Sequence, residues 1–168
     1  MGWRLPLGLS LTPDAIRAVR IVRRGRRLRV AGRRAVPLPP GAVTAAPQGL
    51  AIADEDAFVK ALKEALALRG RYREVALALP DSSCLARVLR FPDLQARGEE
   101  LRALILWQAA DLLPFPQKEA RLICQVLRRE GSAGQVAYLL AHEALLSRME
   151  ALLARAGGAL LYAGSTLI

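Results

Sequence analysis

Apolar residues recur along this chain at two spacings, and together they predict a mixed α/β protein. Runs that are apolar at every residue or every second residue are typical of strands, whereas apolar positions three and four residues apart indicate amphipathic helices. The predicted strands span 5–11, 15–22, a stretch around 28–30, 75–79, 84–91, 120–129, 135–141 and 159–163. The predicted helices span 54–69, 101–113 and 144–156. Because helices and strands are mixed along the chain, the fold class is α/β.

The most apolar segment is 101–116, which reads LRALILWQAADLLPFP. Only Arg102, Gln108 and Asp111 are polar, so the predicted helix is apolar around most of its circumference. Such a helix is either covered on two sides, or covered on one side and offered to a partner on the other. Pro114 ends the helix, because it lacks a backbone N–H and disfavours helical geometry in the residue before it.

The first three strands predict an antiparallel meander. Thr12-Pro13-Asp14 is typical of a turn, and the run from Arg23 to Arg27, with Gly25 at its centre, is typical of a hairpin tip. The Pro- and Gly-rich stretch 37–49 is expected to have no regular structure. The continuous apolar strand at 75–79 is predicted to lie in the centre of a sheet.

The chain has 168 residues and a formal net charge of +10. Nucleic acid or an anionic membrane surface is the functional interpretation of this charge. The alternative is compositional bias, since arginine greatly outnumbers lysine and the arginines occur in several elements. Aromatic residues make up only 5%, which leaves no stacking platform for single-stranded nucleic acid, so nucleic-acid binding is not favoured. The lack of a long apolar run or a signal peptide indicates a cytoplasmic protein.

No catalytic or metal-binding constellation stands out. His142 is the single histidine, and Cys84 and Cys124 each lie in an apolar run that is typical of a buried, reduced thiol. One histidine and two cysteines do not indicate a zinc site. Ser82 and Ser83 follow a strand without the glycines of a nucleophile elbow. We therefore assign no catalytic residue, metal ligand or cofactor.

Five strings resemble, in order, the PilM family, the actin-like proteins of type IV pilus assembly that are related to FtsA. They are LGLSLTPDAIRAV at 7–19, PLPPGAV at 37–43, VALALP at 75–80, WQAADLLPFP at 107–116 and LICQVL at 122–127. The usual family forms are close to GLDIGSSSIKAV, RWEAExxIPFP and LDYQVL. The actin-like cytoplasmic domains of type II secretion GspL proteins are similar as well.

The resemblance implies an actin-like (ribonuclease H-like) lobe, called 1A, with a second α/β lobe, called 1C, inserted into it. Lobe 1A is then residues 1–81 plus 158–168, and lobe 1C is residues 82–157. Members of the PilM family capture the short cytoplasmic tail of the inner-membrane protein PilN in a groove between these lobes. The apolar helix belongs to lobe 1C, and the candidates for facing the groove are Leu106, Trp107, Leu113 and Phe115. The alternative for each of them is packing in the core of lobe 1C.

The first phosphate loop of the family is changed in this chain. Ser10 stands at the position of the family's aspartate, so the carboxylate that helps to place metal and water is missing. Thr12 stands at the position of a glycine, and Pro13 has no N–H to offer a phosphate. Ser10, Thr12, Pro13 and Asp14 are thus a degenerate nucleotide-binding loop, and ATP with magnesium is not expected to bind. The family's second phosphate loop and adenosine-binding segment have no counterpart in these residues.

Together these features predict a non-catalytic scaffold of type IV pilus or type II secretion assembly. It binds the tail of a PilN-like inner-membrane protein and lies in the cytoplasm, peripheral to the inner membrane through that partner. The alternatives are the first half of an active actin-like ATP-binding protein and a basic nucleic-acid-binding domain. Residues 164–168 resemble an interruption, so a second half-domain or self-association is a further expected partner. The hairpin tip at 23–27 suggests contact with anionic lipid, although solvated charge is the default interpretation.

Overall fold

The computed structural model describes residues 5–46, 49–69 and 73–165, and its elements largely follow the predicted order. The strands are β1 (Leu7–Leu11), β2 (Ala15–Arg24), β3 (Arg27–Pro37), β4 (Val43–Ala46), β5 (Gly49–Ile52), β6 (Glu74–Leu79), β7 (Cys84–Phe91), β8 (Ala120–Glu130), β9 (Ala133–His142) and β10 (Ala159–Ser165). The α-helices are α1 (Glu55–Leu66), α2 (Gly98–Ala109) and α3 (Glu143–Arg155). The α/β fold class is confirmed, while the ends of predicted lobe 1A at 1–4 and 166–168 lie outside the described residues.

A five-stranded sheet, in the order β10-β6-β1-β2-β3, forms the larger part of the fold. Strands β1, β2 and β3 are the predicted antiparallel meander, and β6 runs parallel to both β1 and β10 near the centre. Alternate side chains of β1 and β6, such as Leu9 and Leu77, point to the face covered by α1 and α3. Phe58 of α1 and Met149 of α3 are buried in that core.

A three-stranded antiparallel sheet, in the order β7-β9-β8, forms the second part. One of its faces packs on α2, where Val136 and Leu140 of β9 meet Ile105. The opposite face turns toward the larger sheet, and Leu139 of β9 joins the first core. The smaller sheet is therefore covered by a helix on one side and by the rest of the protein on the other.

The apolar helix α2 buries one stripe only. Leu101, Ile105 and Ala109, each four residues after the last, are buried against the smaller sheet. Trp107 on another side of the helix is 73% exposed. Of the two arrangements that the sequence allowed, the structure has the helix covered on one side. The helix begins earlier than predicted, because Glu99 and Glu100 form its first turn.

The expectation of no regular structure across 37–49 is wrong for its second half. Strands β4 and β5 pair as an antiparallel hairpin, with Val43 opposite Ile52. Val43, Leu50 and Ile52 are buried in the first core, which stabilises the hairpin despite the prolines before it. Residues 47 and 48 lie outside the described residues.

Two arginines of α3 clamp the start of α1. Asp54 caps α1 by accepting a hydrogen bond from the backbone N–H of Ala57 at 2.9 Å, as predicted. Glu55 then accepts hydrogen bonds from Arg148 at 2.9 Å and from Arg155 at 2.8 Å. The Arg148 guanidinium also donates to the carbonyl of Ile52 at 2.9 Å. The clamp joins two helices that lie far apart in sequence.

We expect Glu55 to make stability depend on pH. Its hydrogen bond from Arg148, helped by Arg155, holds the pKa of the Glu55 carboxyl below its ordinary value of 4.5. A depressed folded-state pKa means that the stabilisation is complete above the unfolded-state pKa and is lost as the pH falls through the folded-state pKa. Urea denaturation between about pH 5 and about pH 3 should therefore show a smaller loss of stability in Glu55→Gln than in the unsubstituted chain. Glu74→Gln, at an exposed position of β6, is the control, and identical pH profiles for the Glu55→Gln variant and the unsubstituted chain would refute the clamp.

Candidate functional site

An apolar cleft lies between the two sheets. Its volume is about 550 Å³. Strands β1, β6 and β10 form one wall, and strands β8 and β9 form the other. The lining residues are Gly8, Leu9, Ala76, Leu77, Ala78, Ile123, Cys124, Gln125, Ala137, Tyr138, Leu139, Tyr162, Ala163, Gly164 and Ser165. Most of these residues are aliphatic or small, so shape and burial of apolar groups would dominate binding here.

Small side chains on the cleft side of the larger sheet leave space between the two sheets. Parallel pairing places Gly8 of β1 beside Ala76 of β6, which in turn lies beside Tyr162 of β10. The next row on the same face contains Ala78 and Gly164. Larger side chains at these positions would fill the space between the sheets. Tyr162 is mostly exposed and stands at the cleft's side with its ring over the Gly164 position.

Both walls include a strand at the edge of its sheet. Strand β10 is the last strand of the larger sheet, and β8 is the last strand of the smaller one. Residues 123–125 of β8 and 162–165 of β10 line the cleft. Within the part of the chain that the structure describes, the outer edges of these two strands have no neighbouring strand. An edge strand offers backbone N–H and C=O groups to an extended peptide, so the cleft combines apolar pockets with main-chain hydrogen-bonding groups.

The groove candidates from sequence lie on the other face of the smaller sheet. Leu106 and Leu113 are partly buried and pack against the α2 core, whereas Trp107 is largely exposed. Phe115 is half-buried and packs edge-on against His142, with ring centroids 4.7 Å apart. None of these four side chains lines the cleft. Their role in partner binding stays a prediction.

His142 fixes the start of α3. Its Nδ1 accepts a hydrogen bond from the backbone N–H of Ala144 at 3.1 Å, so it is the helix N-cap. The proton therefore sits on Nε2, which is 3.1 Å from a carboxylate oxygen of Glu119. The ring is buried between Phe115 and the helix. This arrangement gives His142 a structural role.

The predicted degenerate loop is a turn closed by its own side chains. Thr12 donates from both its N–H and its hydroxyl to the carbonyl of Ala15, at 3.0 and 2.9 Å. Arg17 donates to the Thr12 hydroxyl at 2.8 Å and lies 3.6 Å from the Asp14 carboxylate. Pro13 has no N–H. The N–H and the hydroxyl of Thr12 thus both donate within the turn.

Ser10 lies just before this turn, on β1. It pairs with Ala78 of β6 and Arg17 of β2 and shares their sheet face, next to the cleft. Ser10, near the end of β1, and the turn residues Thr12, Pro13 and Asp14 therefore lie close together, and Ser10 is in the row next to that of Gly8 on the same sheet face. Their assignment as a degenerate nucleotide-binding loop stays a prediction.

Other chemistry-bearing groups are dispersed. Cys84 and Cys124 are free thiols of intermediate burial, and burial raises the pKa of the Cys84 thiol. Ser165 donates to the Asp81 carboxylate at 2.7 Å and thereby ties the end of β10 to the residues after β6. Across residues 5–46, 49–69 and 73–165, no group of three or more His, Cys, Asp or Glu side chains is placed to hold a metal ion. In the same ranges, no helix is long and apolar enough to cross a membrane.

Sequence reasoning did not single out the cleft residues. Gly8, Ala76, Ala78 and Gly164 carry no chemically distinctive side chain, and the sheet brings them together from three strands far apart in sequence. The signal that could have found them is the small residue at alternate positions of otherwise leucine- and valine-rich strands. In VALALP at 75–80, for example, the alanines mark the cleft face and the larger residues mark the core face.

Comparison with known proteins gives the family of the chain. The family model described as type IV pilus assembly protein PilM matches residues 8–158. A solved structure titled PilM-PilN type IV pilus biogenesis complex has a TM-score of 0.75 and 25% identity, and the match covers 96% of this chain and 47% of that one. This chain thus spans about half the length of that relative. No curated protein matches.

A second solved structure is the cytoplasmic domain of EpsL, an inner membrane component of the type II secretion system of Vibrio cholerae. It has a TM-score of 0.59 and 13% identity, and the match covers 95% of this chain and 56% of that one. At this identity the likeness concerns the fold alone.

Proposed function

Because this chain belongs to the PilM family of type IV pilus assembly proteins, we propose that it is a non-catalytic scaffold that holds the cytoplasmic tail of a PilN-like inner-membrane protein in the cleft between its two sheets. The observation that carries the proposal is the cleft itself. It is apolar, about 550 Å³ in volume, and flanked by the two edge strands β8 and β10. An extended peptide gains main-chain hydrogen bonds from such edges and side-chain burial from the pocket between them.

The lobe division supports the same location. Residues 1–81 plus 158–168 would be lobe 1A and residues 82–157 would be lobe 1C, so β1, β6 and β10 belong to one lobe and β8 and β9 to the other. The cleft then runs between the lobes. Trp107, with Leu106, Leu113 and Phe115 near it in sequence, is a separate candidate contact surface on α2 and after it. The protein would lie in the cytoplasm and reach the inner membrane through its partner.

Titration calorimetry tests tail binding directly. A synthetic peptide with the N-terminal cytoplasmic sequence of a PilN-like protein should bind with one-to-one stoichiometry and saturate. A scrambled peptide of the same composition controls for binding through charge alone, since the protein has a net charge of +10. At several hundred micromolar peptide, a binding free energy of about −5 kcal/mol would be detected. If neither peptide gives heat at that concentration, the proposal fails.

The hydrogen bonds that Thr12 makes within its turn support a function that needs no bound nucleotide. We expect that millimolar Mg-ATP leaves the thermal midpoint unchanged, because a ligand raises it only when it binds the folded state. Tripolyphosphate is the control for general anion binding by a chain of net charge +10. A rise of several degrees with Mg-ATP but not with tripolyphosphate would favour the alternative, an active actin-like ATP-binding half. Saturation at about one hundred times Kd would stabilise the fold by about 2.7 kcal/mol.

A further inference from the structure

The positive charge of this protein is concentrated in one hairpin. Nine of the 25 Lys and Arg residues lie between residues 15 and 36, and that stretch has no Asp or Glu. The rest of the chain therefore has 16 basic and 15 acidic residues, so it is almost neutral. The net charge of +10 is a property of strands β2 and β3 rather than of the whole surface.

This hairpin extends beyond the sheet. Strand β1 pairs with β2 only from Ile16 to Val19, so Arg20–Arg24 and the facing residues of β3 pair with each other alone. Strand β3 is the edge of the sheet on the other side. The turn at Gly25, with φ of 60°, closes the ribbon, and residues 23–31 are all exposed. The result is a two-stranded ribbon whose tip is free of neighbouring elements in the described part of the chain.

One face of the ribbon is mostly aliphatic, with Arg23 as its arginine near the tip. Directly opposed residues of an antiparallel pair share a face, and Ile21 opposes Val30 while Arg23 opposes Leu28. Leu28 is 63% exposed, Val30 50% and Ile21 38%. The other face holds the pair Arg24 and Arg27 and the next arginine, Arg29. Exposed aliphatic side chains on a monomer's surface mark an interaction site when they cluster in this way.

In the part of the chain that the structure describes, the ribbon's guanidinium groups form no salt bridge. Arg17 pairs with Asp14, and Arg34 donates to the carbonyl of Glu64 at 2.9 Å. Within the described residues, none of the arginines from Arg20 to Arg33 has a carboxylate at salt-bridge distance. Their charge is therefore available to an external anionic surface.

We propose that the ribbon formed by residues 20–32 binds the surface of an anionic lipid bilayer. Its aliphatic face would enter the headgroup region, and the long arginine side chains would reach phosphate groups from both faces and from the tip. Nucleic acid fits less well. Between residues 15 and 36 the chain contains only Ala, Ile, Val, Leu, Gly and Arg, so it has no aromatic side chain to stack and no neutral hydrogen-bonding side chain to read a base. This binding does not depend on the peptide cleft.

Co-sedimentation with lipid vesicles tests the proposal. The 168-residue chain should bind vesicles of phosphatidylcholine with about one-third phosphatidylglycerol at about 0.1 M salt, and it should bind pure phosphatidylcholine far more weakly. Arg24→Gln, Arg26→Gln and Arg27→Gln together should weaken binding about a hundredfold, at about fivefold for each arginine. Leu28→Asn should weaken vesicle binding about tenfold, because the variant lacks an apolar side chain that would insert into the lipid.

The matched control removes the same charge elsewhere. Arg87, Arg90 and Arg97 are exposed and lie outside the hairpin, so their replacement by Gln should leave vesicle binding within about fivefold of the unsubstituted chain. Equal losses in the two triple variants would overturn the proposal, as would failure of the unsubstituted chain to bind anionic vesicles. Fluorescence anisotropy with a short DNA duplex tests the alternative, that the ribbon binds nucleic acid. Tighter binding to the duplex than to vesicles, unchanged by Leu28→Asn, would assign the ribbon to nucleic acid and overturn the lipid interpretation.

Discussion

Replacement of Ala78 by phenylalanine is expected to weaken binding of the PilN-like tail at least about a hundredfold, which corresponds to about 2.8 kcal/mol. Ala78 lies on β6, is only half-buried, and lines the cleft floor in the same row as Gly164. A phenyl ring there would occupy the space that the peptide needs. The fold should tolerate the change, because the side chain points away from the core and phenylalanine suits a strand.

The control for this variant is Ala35→Phe, which makes the same replacement at an exposed position of β3 in the same sheet. Its tail affinity should equal that of the unsubstituted chain. Circular dichroism should show that both variants unfold at similar temperatures. Tail binding by Ala78→Phe with the original Kd would show that the peptide does not enter the cleft.

Truncation of Leu146 to alanine is expected to cost about 2 to 5 kcal/mol of unfolding free energy. Leu146 lies on α3, is 1% exposed, and packs in the first core together with residues of α1 and β6. Helix α3 follows the smaller sheet directly in the chain, yet its apolar stripe packs with the larger sheet. For a chain of this size the loss should lower the thermal midpoint by about 5 to 15 °C.

Leu127→Ala provides the comparison, because this leucine of β8 is half-exposed. Its unfolding free energy should change by less than about 1 kcal/mol, as surface replacements usually do. Urea denaturation of both variants measures the difference. If Leu146→Ala unfolds at the same urea concentration as the unsubstituted chain, α3 does not pack in the larger core.

The order of elements could be predicted because hydrophobic spacing records it directly. The continuous apolar run at 75–79 predicted the central position of β6, and Asp54 predicted the start of α1 through its capping side chain. The hairpin of β4 and β5 was missed, since its prolines and glycines precede a short apolar alternation whose burial depends on the rest of the core. The local amino-acid composition does not show that contacts with the rest of the core will stabilise the hairpin.

The candidate site was harder to predict than the fold. An apolar helix such as α2 shows no single stripe in its sequence, so the buried face, with Leu101 and Ile105, could not be distinguished from the exposed face with Trp107. The cleft depends on small residues, Gly8 and Ala76 among them, whose importance is the space that they leave. A small residue that matters only for the space it leaves cannot be recognised in a sequence until the two sheets are placed face to face. The family resemblance identified a groove between lobes but not the residues that line it.

Hydrogen exchange of the chain with and without the PilN-like tail peptide tests the central claim most directly. Binding in the cleft predicts slower exchange of backbone amides in β10 (159–165) and β8 (120–130), because their outer edges would pair with the peptide. Amides of α2 and the following residues, 98–116, should exchange at unchanged rates. Protection confined to 98–116, around Trp107, with β8 and β10 unaffected, would contradict the cleft and assign the tail to the exposed side of α2.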